Sequence, residues 1–153
     1  NIVAEPNPED LAYISLLCDK YKVNIAIHNH PQPSHYWHPD TLLTALKLAT
    51  SSRVGSCSDV GHWRRSGLNA VESLKKLQGH IIEVHLKDVI DAKDPSEETI
   101  WGKGGNDMKA VFTELNRQHF KGMMSIEYES NPADNMSEIS QSINFFNTLI
   151  AGF

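Results

Sequence analysis

The chain is poor in cysteine. Cys18 and Cys57 are its only two. One falls in a helical pattern and the other in a strand, so no disulfide framework is expected; two reduced thiols in a cytoplasmic compartment are the default. Long apolar runs are missing as well. No stretch approaches the ~20 residues that a membrane-spanning helix needs, and no signal-peptide pattern opens the chain, so no membrane partner is expected. Excess positive charge is lacking. The net charge is −5, whereas a binder of the phosphate backbone normally shows a basic patch, so no nucleic-acid partner is expected. Low-complexity tracts and linkers are also absent. The 153 residues suffice for a single domain with a real core. There is no initiator methionine, and Asn1-Ile-Val-Ala-Glu5 reads as the tail of a strand. The expectation is a chain that starts inside a fold, as a trimmed, proteolysed or fragmentary gene product would.

What is present is a repeat of short strand-like segments, each followed by a helical pattern. Residues 23–28, Val54–Asp59, 81–86 and 122–128 are short, with β-branched or apolar residues at alternate positions, and read as strands. Leu11, Ile14, Leu17 and Cys18 predict a helix over 8–21, with Asn7 as its cap and Pro8 in its first turn. Leu42, Leu43, Leu46 and Leu48 predict another over 40–49, and 68–77, 107–119 and Met136–Ile150 supply three more. Residues 31–38, 61–67 and the charged stretch 88–106 read as loops. The order α-β-α-β-α-β-α-β-α implies parallel strands with right-handed crossovers.

The strand ends carry the chemistry. His28, Asp59, His85 and Glu127 stand at the ends of the four segments or one residue before them. Alternation puts each of these on a small or polar face, opposite a face suited to packing under helices. An open doubly wound sheet is covered on both sides and needs two apolar faces. A polar second face fits a barrel interior, with a site gathered at the C-terminal ends of the strands. Two imidazoles and two carboxylates suit a divalent cation such as Mn²⁺, Zn²⁺, Fe²⁺ or Co²⁺, with Mg²⁺ the harder option.

Other residues cluster near the same ends. His30 and His62 lie just beyond strands and are expected to contact substrate or support the ligands. Glu83 and Lys87 point inward, and a buried ion pair between them is the simplest expectation. Trp37, Trp63 and Trp101 fall after strands, where rings stack on the apolar face of a sugar or pack as a lid. Arg64 and Arg65 are candidates for a phosphate or carboxylate, or else solvated surface. Gly102-Lys-Gly-Gly105 does not follow a strand directly and reads better as a turn than as a phosphate loop.

Ile25-Ala-Ile-His-Asn-His-Pro31, Asp59-Val-Gly-His-Trp63, Glu83-Val-His-Leu-Lys-Asp88 and Ser125-Ile-Glu-Tyr-Glu129 together resemble the xylose isomerase-like TIM-barrel superfamily, above all its sugar phosphate isomerase/epimerase branch. The resemblance runs through nearly the whole chain in order. It implies an α/β fold of parallel βα repeats, the C-terminal half of a (β/α)8 TIM barrel. The single partial domain 1–153 would run from the tail of strand 4 through helix 8. It also implies a divalent metal held by a glutamate, an aspartate, a histidine and a glutamate on the last four strands. Asp59, His85 and Glu127 match that pattern. Position 28 departs from it, with histidine where the resemblance calls for a glutamate that is one of the epimerases' two acid/base residues.

The function expected is a metal-dependent sugar or polyol isomerase or epimerase acting through an enediolate. Glu127 is the candidate base, and His28 or His30 the proton partner. His62, Trp37, Trp63, Arg64 and Lys87 are the candidate substrate contacts. The alternatives are a sugar lyase or dehydratase, a phosphodiesterase like the abasic-site endonucleases, and an inactive barrel fragment. The partner expected is a small sugar or sugar derivative, together with a second copy of the chain or a missing N-terminal half.

Overall fold

The computed structural model describes residues 1–90 and 97–151. Strand β1 (Ile2–Ala4) leads through a 3-10 turn at Pro8–Asp10 into α1 (Leu11–Tyr21). Then follow β2 (Ile25–His28), α2 (Pro39–Leu46), β3 (Val54–Asp59), α3 (Val60–Arg65), α4 (Ala70–Lys76) and β4 (Ile81–Leu86). A small hairpin, β5 (Asp88–Val89) with β6 (Glu98–Thr99), precedes α5 (Met108–Arg117), β7 (Met123–Ile126) and α6 (Met136–Ile150). The main sheet has the order β1-β2-β3-β4-β7, and every neighbouring pair is parallel. It is a curled half-barrel with helices between successive strands, the fold class expected from the alternation.

Among the described residues, the helices pack on one face of the sheet. Ile27, Val84 and Leu86 pack there against Leu11, Leu42, Leu74, Val111 and Leu115 in one apolar cluster. The covered face of β3 is less apolar than expected. Ser56 and Ser58 are fully buried there and satisfy each other through a 2.8 Å hydroxyl–hydroxyl bond, which avoids the cost of an unpaired buried hydroxyl. The other face carries Ala26, His28, Cys57, Asp59, Glu83, His85 and Ser125 by the period-2 rule. The edge strands expose Ile2, Val3, Met123 and Met124.

Three local expectations need correction. Asn7 makes no side-chain capping bond, and the chain enters α1 through the 3-10 turn. Residues 61–67 are not a loop, because α3 begins directly after β3. The Asp59 carboxylate accepts from the amide of His62 at 2.7 Å and starts that helix. Within 88–106, the hairpin pairs Asp88 with Thr99 and Val89 with Glu98; residues 91–96 of that stretch lie outside the described residues. The glycine-rich turn wraps a carboxylate of its own chain. Buried Asp88 accepts from the amides of Gly102, Gly104 and Asn106 at 2.9, 3.0 and 3.1 Å. A Cβ on Gly104 would collide with Asp88 Oδ1, so only glycine fits there.

Candidate metal centre

Strand register assembles the cluster. β2 and β3 place His28 beside Cys57, β3 and β4 place Asp59 beside His85, and β4 and β7 place His85 beside Ser125. Glu127 follows β7 directly, and its amide donates to the Leu86 carbonyl at 3.2 Å, which keeps it in the ladder. One donor atom each from His28, Asp59, His85 and Glu127 lies within 4.8 Å of the other three. Asn29 fixes the relative height of two of them. Its carboxamide oxygen accepts from the Asp59 amide at 2.7 Å, and its nitrogen donates to the Asp59 carbonyl at 3.0 Å.

Two buried atoms in the cluster lack a hydrogen-bond partner, His28 Nε2 and Asp59 Oδ2. They face each other at 3.6 Å, and His28 Nε2 is 3.9 Å from Glu127 Oε2. A buried polar atom without a partner costs about 1–3 kcal/mol. A cation shared by these atoms would satisfy both, and the two-nitrogen, two-oxygen set suits a divalent transition metal. The residues therefore fit such an ion.

The electrostatics are set by burial and one lysine. Burial raises the Asp59 pKa above the usual carboxylate value. Glu127 is held well below it, first by its 2.7 Å bond with His85 Nδ1 and also by the nearby Lys87 charge. The same bond raises the His85 pKa. Lys87 is buried, and burial alone would lower its pKa. Glu129, Glu127, Glu98 and Asp59, at 2.9, 3.2, 3.5 and 3.8 Å, outweigh that and raise it. Glycine at position 61 makes room for the lysine stem, since a Cβ there would meet Lys87 Cβ at 2.7 Å. The expected Glu83–Lys87 pair does not form. Glu83 turns to Asn1, Ser125 and His85, at 2.9, 2.9 and 3.5 Å.

His62 joins the cluster from α3, with Nε2 3.7 Å from Asp59 Oδ2. Burial pushes its pKa down to about 2, so the ring is neutral. Arg65 Nη1 lies 3.3 Å from His62 Nδ1. A guanidinium only donates, so Nδ1 accepts and the ring proton sits on Nε2. His30 is exposed. Its Nδ1 pairs with Glu5 and lies 3.4 Å from His28 Nδ1.

The other expected substrate contacts separate. Trp63 and Trp101 are buried in the apolar cluster rather than free to stack on a sugar. Trp37 is half-buried, with its ring against His38 at a centroid distance of 5.0 Å. Arg64 packs against Gly105, while Arg65 turns to Glu98 at 3.0 Å. Sequence reasoning missed Asn29, Glu98 and the role of Arg65. Glu98 sits in a stretch read as loop and carries no local signal. Asn29 directly follows β2, and its position between two histidines was the available clue.

The sequence matches the family model for the xylose isomerase-like TIM barrel over residues 9–149. An inosose dehydratase of Clostridium botulinum (strain Eklund 17B / Type B) is 34% identical over 90 residues, which cover 49% of this chain and 30% of that protein. A D-tagatose 3-epimerase-like protein of known structure is 24% identical with a TM-score of 0.81, covering 95% of this chain and 53% of that one. The IOLI protein, solved with a bound zinc atom, is 19% identical with a TM-score of 0.79, covering 95% of this chain and 55% of that one. The chain thus spans about half the length of the structures it matches. No described helix is long and apolar enough to cross a membrane. With strand register, inward-facing strand ends and family model in agreement, this chain belongs to the xylose isomerase-like TIM-barrel family.

Proposed function

We propose that the chain carries the cation-binding half of a sugar or polyol isomerase or epimerase that removes a proton from the carbon beside a carbonyl. The observation that carries this reading is the convergence of His28, Asp59, His85 and Glu127 around two partnerless buried atoms. The similar IOLI structure was solved with a bound zinc atom, which supports a cation in this chain. A divalent cation held by these four residues would polarise a bound carbonyl and its neighbouring hydroxyl, acidifying the carbon between them.

The chain's own groups supply the rest. Glu127 is ionised at neutral pH, the form able to accept a proton, because His85 and Lys87 stabilise its charge. That stabilisation makes it a weak base, so its contribution comes from position. His62 presents an Nε2–H to a substrate oxygen that gains charge as the enediolate forms. His28 and His30, with facing Nδ1 atoms, offer a route from the buried site to solvent by which a proton returns.

A second reading, loss of water from a keto-polyol, is favoured by one observation. Position 28 offers an imidazole where a two-carboxylate epimerase needs a second carboxylate, and the likeness to an inosose dehydratase points the same way. The test is incubation with Mn²⁺ in D₂O against a panel of ketoses and inososes, followed by NMR. Deuterium entering beside the carbonyl, and lost in Glu127→Gln, is the expected result. A dehydrated product without exchange into recovered substrate selects the second reading. Neither outcome on any substrate would leave the inactive-fragment reading standing.

A further inference from the structure

We propose that the half-barrel holds a second, sulfur-bearing cation seat made of Cys57, His28 and His85, which takes thiophilic divalent ions such as Cd²⁺ or Zn²⁺ in place of the oxygen-bearing seat. Cys57 lies two residues before Asp59 on the same inward face, so it sits one layer deeper in the barrel. The register sets His28 directly beside Cys57 and His85 directly beside Asp59. The two histidines therefore reach both layers. Cys57 Sγ and one nitrogen from each histidine lie within 4.8 Å of one another.

Three further facts mark this as more than a buried cysteine. Cys57 is a free thiol with no exposed surface. It lies outside the apolar cluster under the helices and so has no share in that packing. The His28 side chain beside it is 6% exposed, and its Nε2 has no hydrogen-bond partner. A nitrogen–nitrogen–sulfur set prefers soft and borderline cations, whereas the set with Asp59 and Glu127 also suits harder ions such as Mn²⁺. Because His28 and His85 belong to both sets, the seats exclude each other. A thiophilic ion occupying the sulfur seat blocks the oxygen-bearing one. On binding, the S–H bond breaks, a sulfur–cation bond forms and the proton leaves to solvent, with no change of oxidation state.

This inference rests on the convergence of the histidines and not on the reaction proposed above. The experiment is a titration of the EDTA-treated chain with CdCl₂ under anaerobic conditions, following thiolate-to-metal charge-transfer absorption in the near ultraviolet. The expected result is a band that saturates at one equivalent, persists in Cys18→Ser and disappears in Cys57→Ser. Cys57→Ser should weaken Cd²⁺ binding by at least about 100-fold, the upper end of what losing an outer-sphere partner costs. It should leave Mn²⁺ affinity by calorimetry within about threefold, which also reports that the variant folds. Mn²⁺ and Cd²⁺ should compete. In the unsubstituted chain, the ¹¹³Cd NMR shift should fall in the sulfur-ligated range, a reading that needs no variant to fold. Mn²⁺ binding without a Cd²⁺ thiolate band, or a band that survives Cys57→Ser, overturns the sulfur seat alone. Failure to bind any cation overturns both this seat and the proposed function.

Discussion

The two faces of one sheet obey different rules. On the covered face, Ile27, Val84 and Leu86 meet Leu74, Val111 and Leu115, and the two buried serines there satisfy each other. On the inward face, His28, Asp59, Glu83 and Lys87 are buried, and two of their polar atoms have no partner. The covered face stabilises the fold through removal of apolar surface from water. The inward face costs stability where a charge is removed from water without full compensation, as at Asp59, whose burial outweighs its partners. One sheet thus uses the stability of its covered side to hold an unfavourable arrangement in place on the other. A change on the covered side should cost folding and spare the site. A change on the inward side should cost the site, with an effect on folding whose sign depends on whether the group removed was compensated.

The largest expected effect is on the inward face. Glu127→Gln should lower any turnover by roughly 10²–10⁴-fold, the usual worth of a positioned acid/base group. Because His85 and Lys87 hold its pKa low, the carboxylate also stabilises the cation-free fold, so the urea midpoint at pH 7 should fall, and the loss of turnover is read per folded molecule. Turnover per folded molecule that is unchanged would show that Glu127 is structural. The counterpart on the covered face is Leu74→Ala. Leu74 is fully buried, and its truncation should cost about 2–5 kcal/mol of unfolding free energy. Cation affinity per folded molecule, from calorimetry below the unfolding transition, should be unchanged. A large loss of affinity would mean that the two faces are not separable.

The same division decided what could be read from sequence. The strands and the four converging residues were legible because period-2 alternation and strand-end position act over a few residues. They require only that one side of a strand differ from the other. The six-residue helix α3 was not legible, because it is too short to show a helical period and was masked by Gly61 and two arginines. Its absence from the reading hid the different directions of Arg64 and Arg65. Lys87 was placed inward correctly, but its partners Glu98 and Glu129 come from segments whose position no local pattern encodes. Trp63 and Trp101 looked like loop aromatics and prove to be core, since burial of a loop ring depends on which helix lies over it.

A bound cation should reverse the inward face's cost. At 100 times its Kd, Mn²⁺ or Zn²⁺ should stabilise the chain by about 2.7 kcal/mol if it binds only the folded state. Thermal unfolding with and without EDTA measures this. His28→Ala should abolish the gain, and Leu74→Ala should keep it in full on a lowered baseline. A gain that survives His28→Ala would locate the cation elsewhere.

The smallest effect compares two buried carboxylates, one from each side. Glu114, on α5, accepts from Arg117 Nε and Nη2 at 2.9 and 2.7 Å, and these bonds lower its pKa. A group with a lowered folded pKa stabilises the fold above its unfolded value, about 4.3 for glutamate. That contribution is lost as pH falls through the folded pKa. Asp59 is the opposite case, because burial raises its pKa. Its ionisation begins to cost stability as pH rises above about 3.9, and the cost is complete once pH passes the folded pKa. In the cation-free chain at pH 7, Glu114→Gln should therefore destabilise and Asp59→Asn should stabilise. The asparagine oxygen can still accept from the His62 amide and start α3. Both differences should shrink towards zero as the pH falls to about 3, from opposite sides. Urea midpoints in EDTA at several pH values between these limits measure both slopes. If Asp59→Asn destabilises at pH 7 as Glu114→Gln does, then Lys87, 3.8 Å from Asp59 Oδ2, already compensates that charge. The inward face would then be a satisfied ionic network, and its unpartnered atoms would no longer argue for a cation.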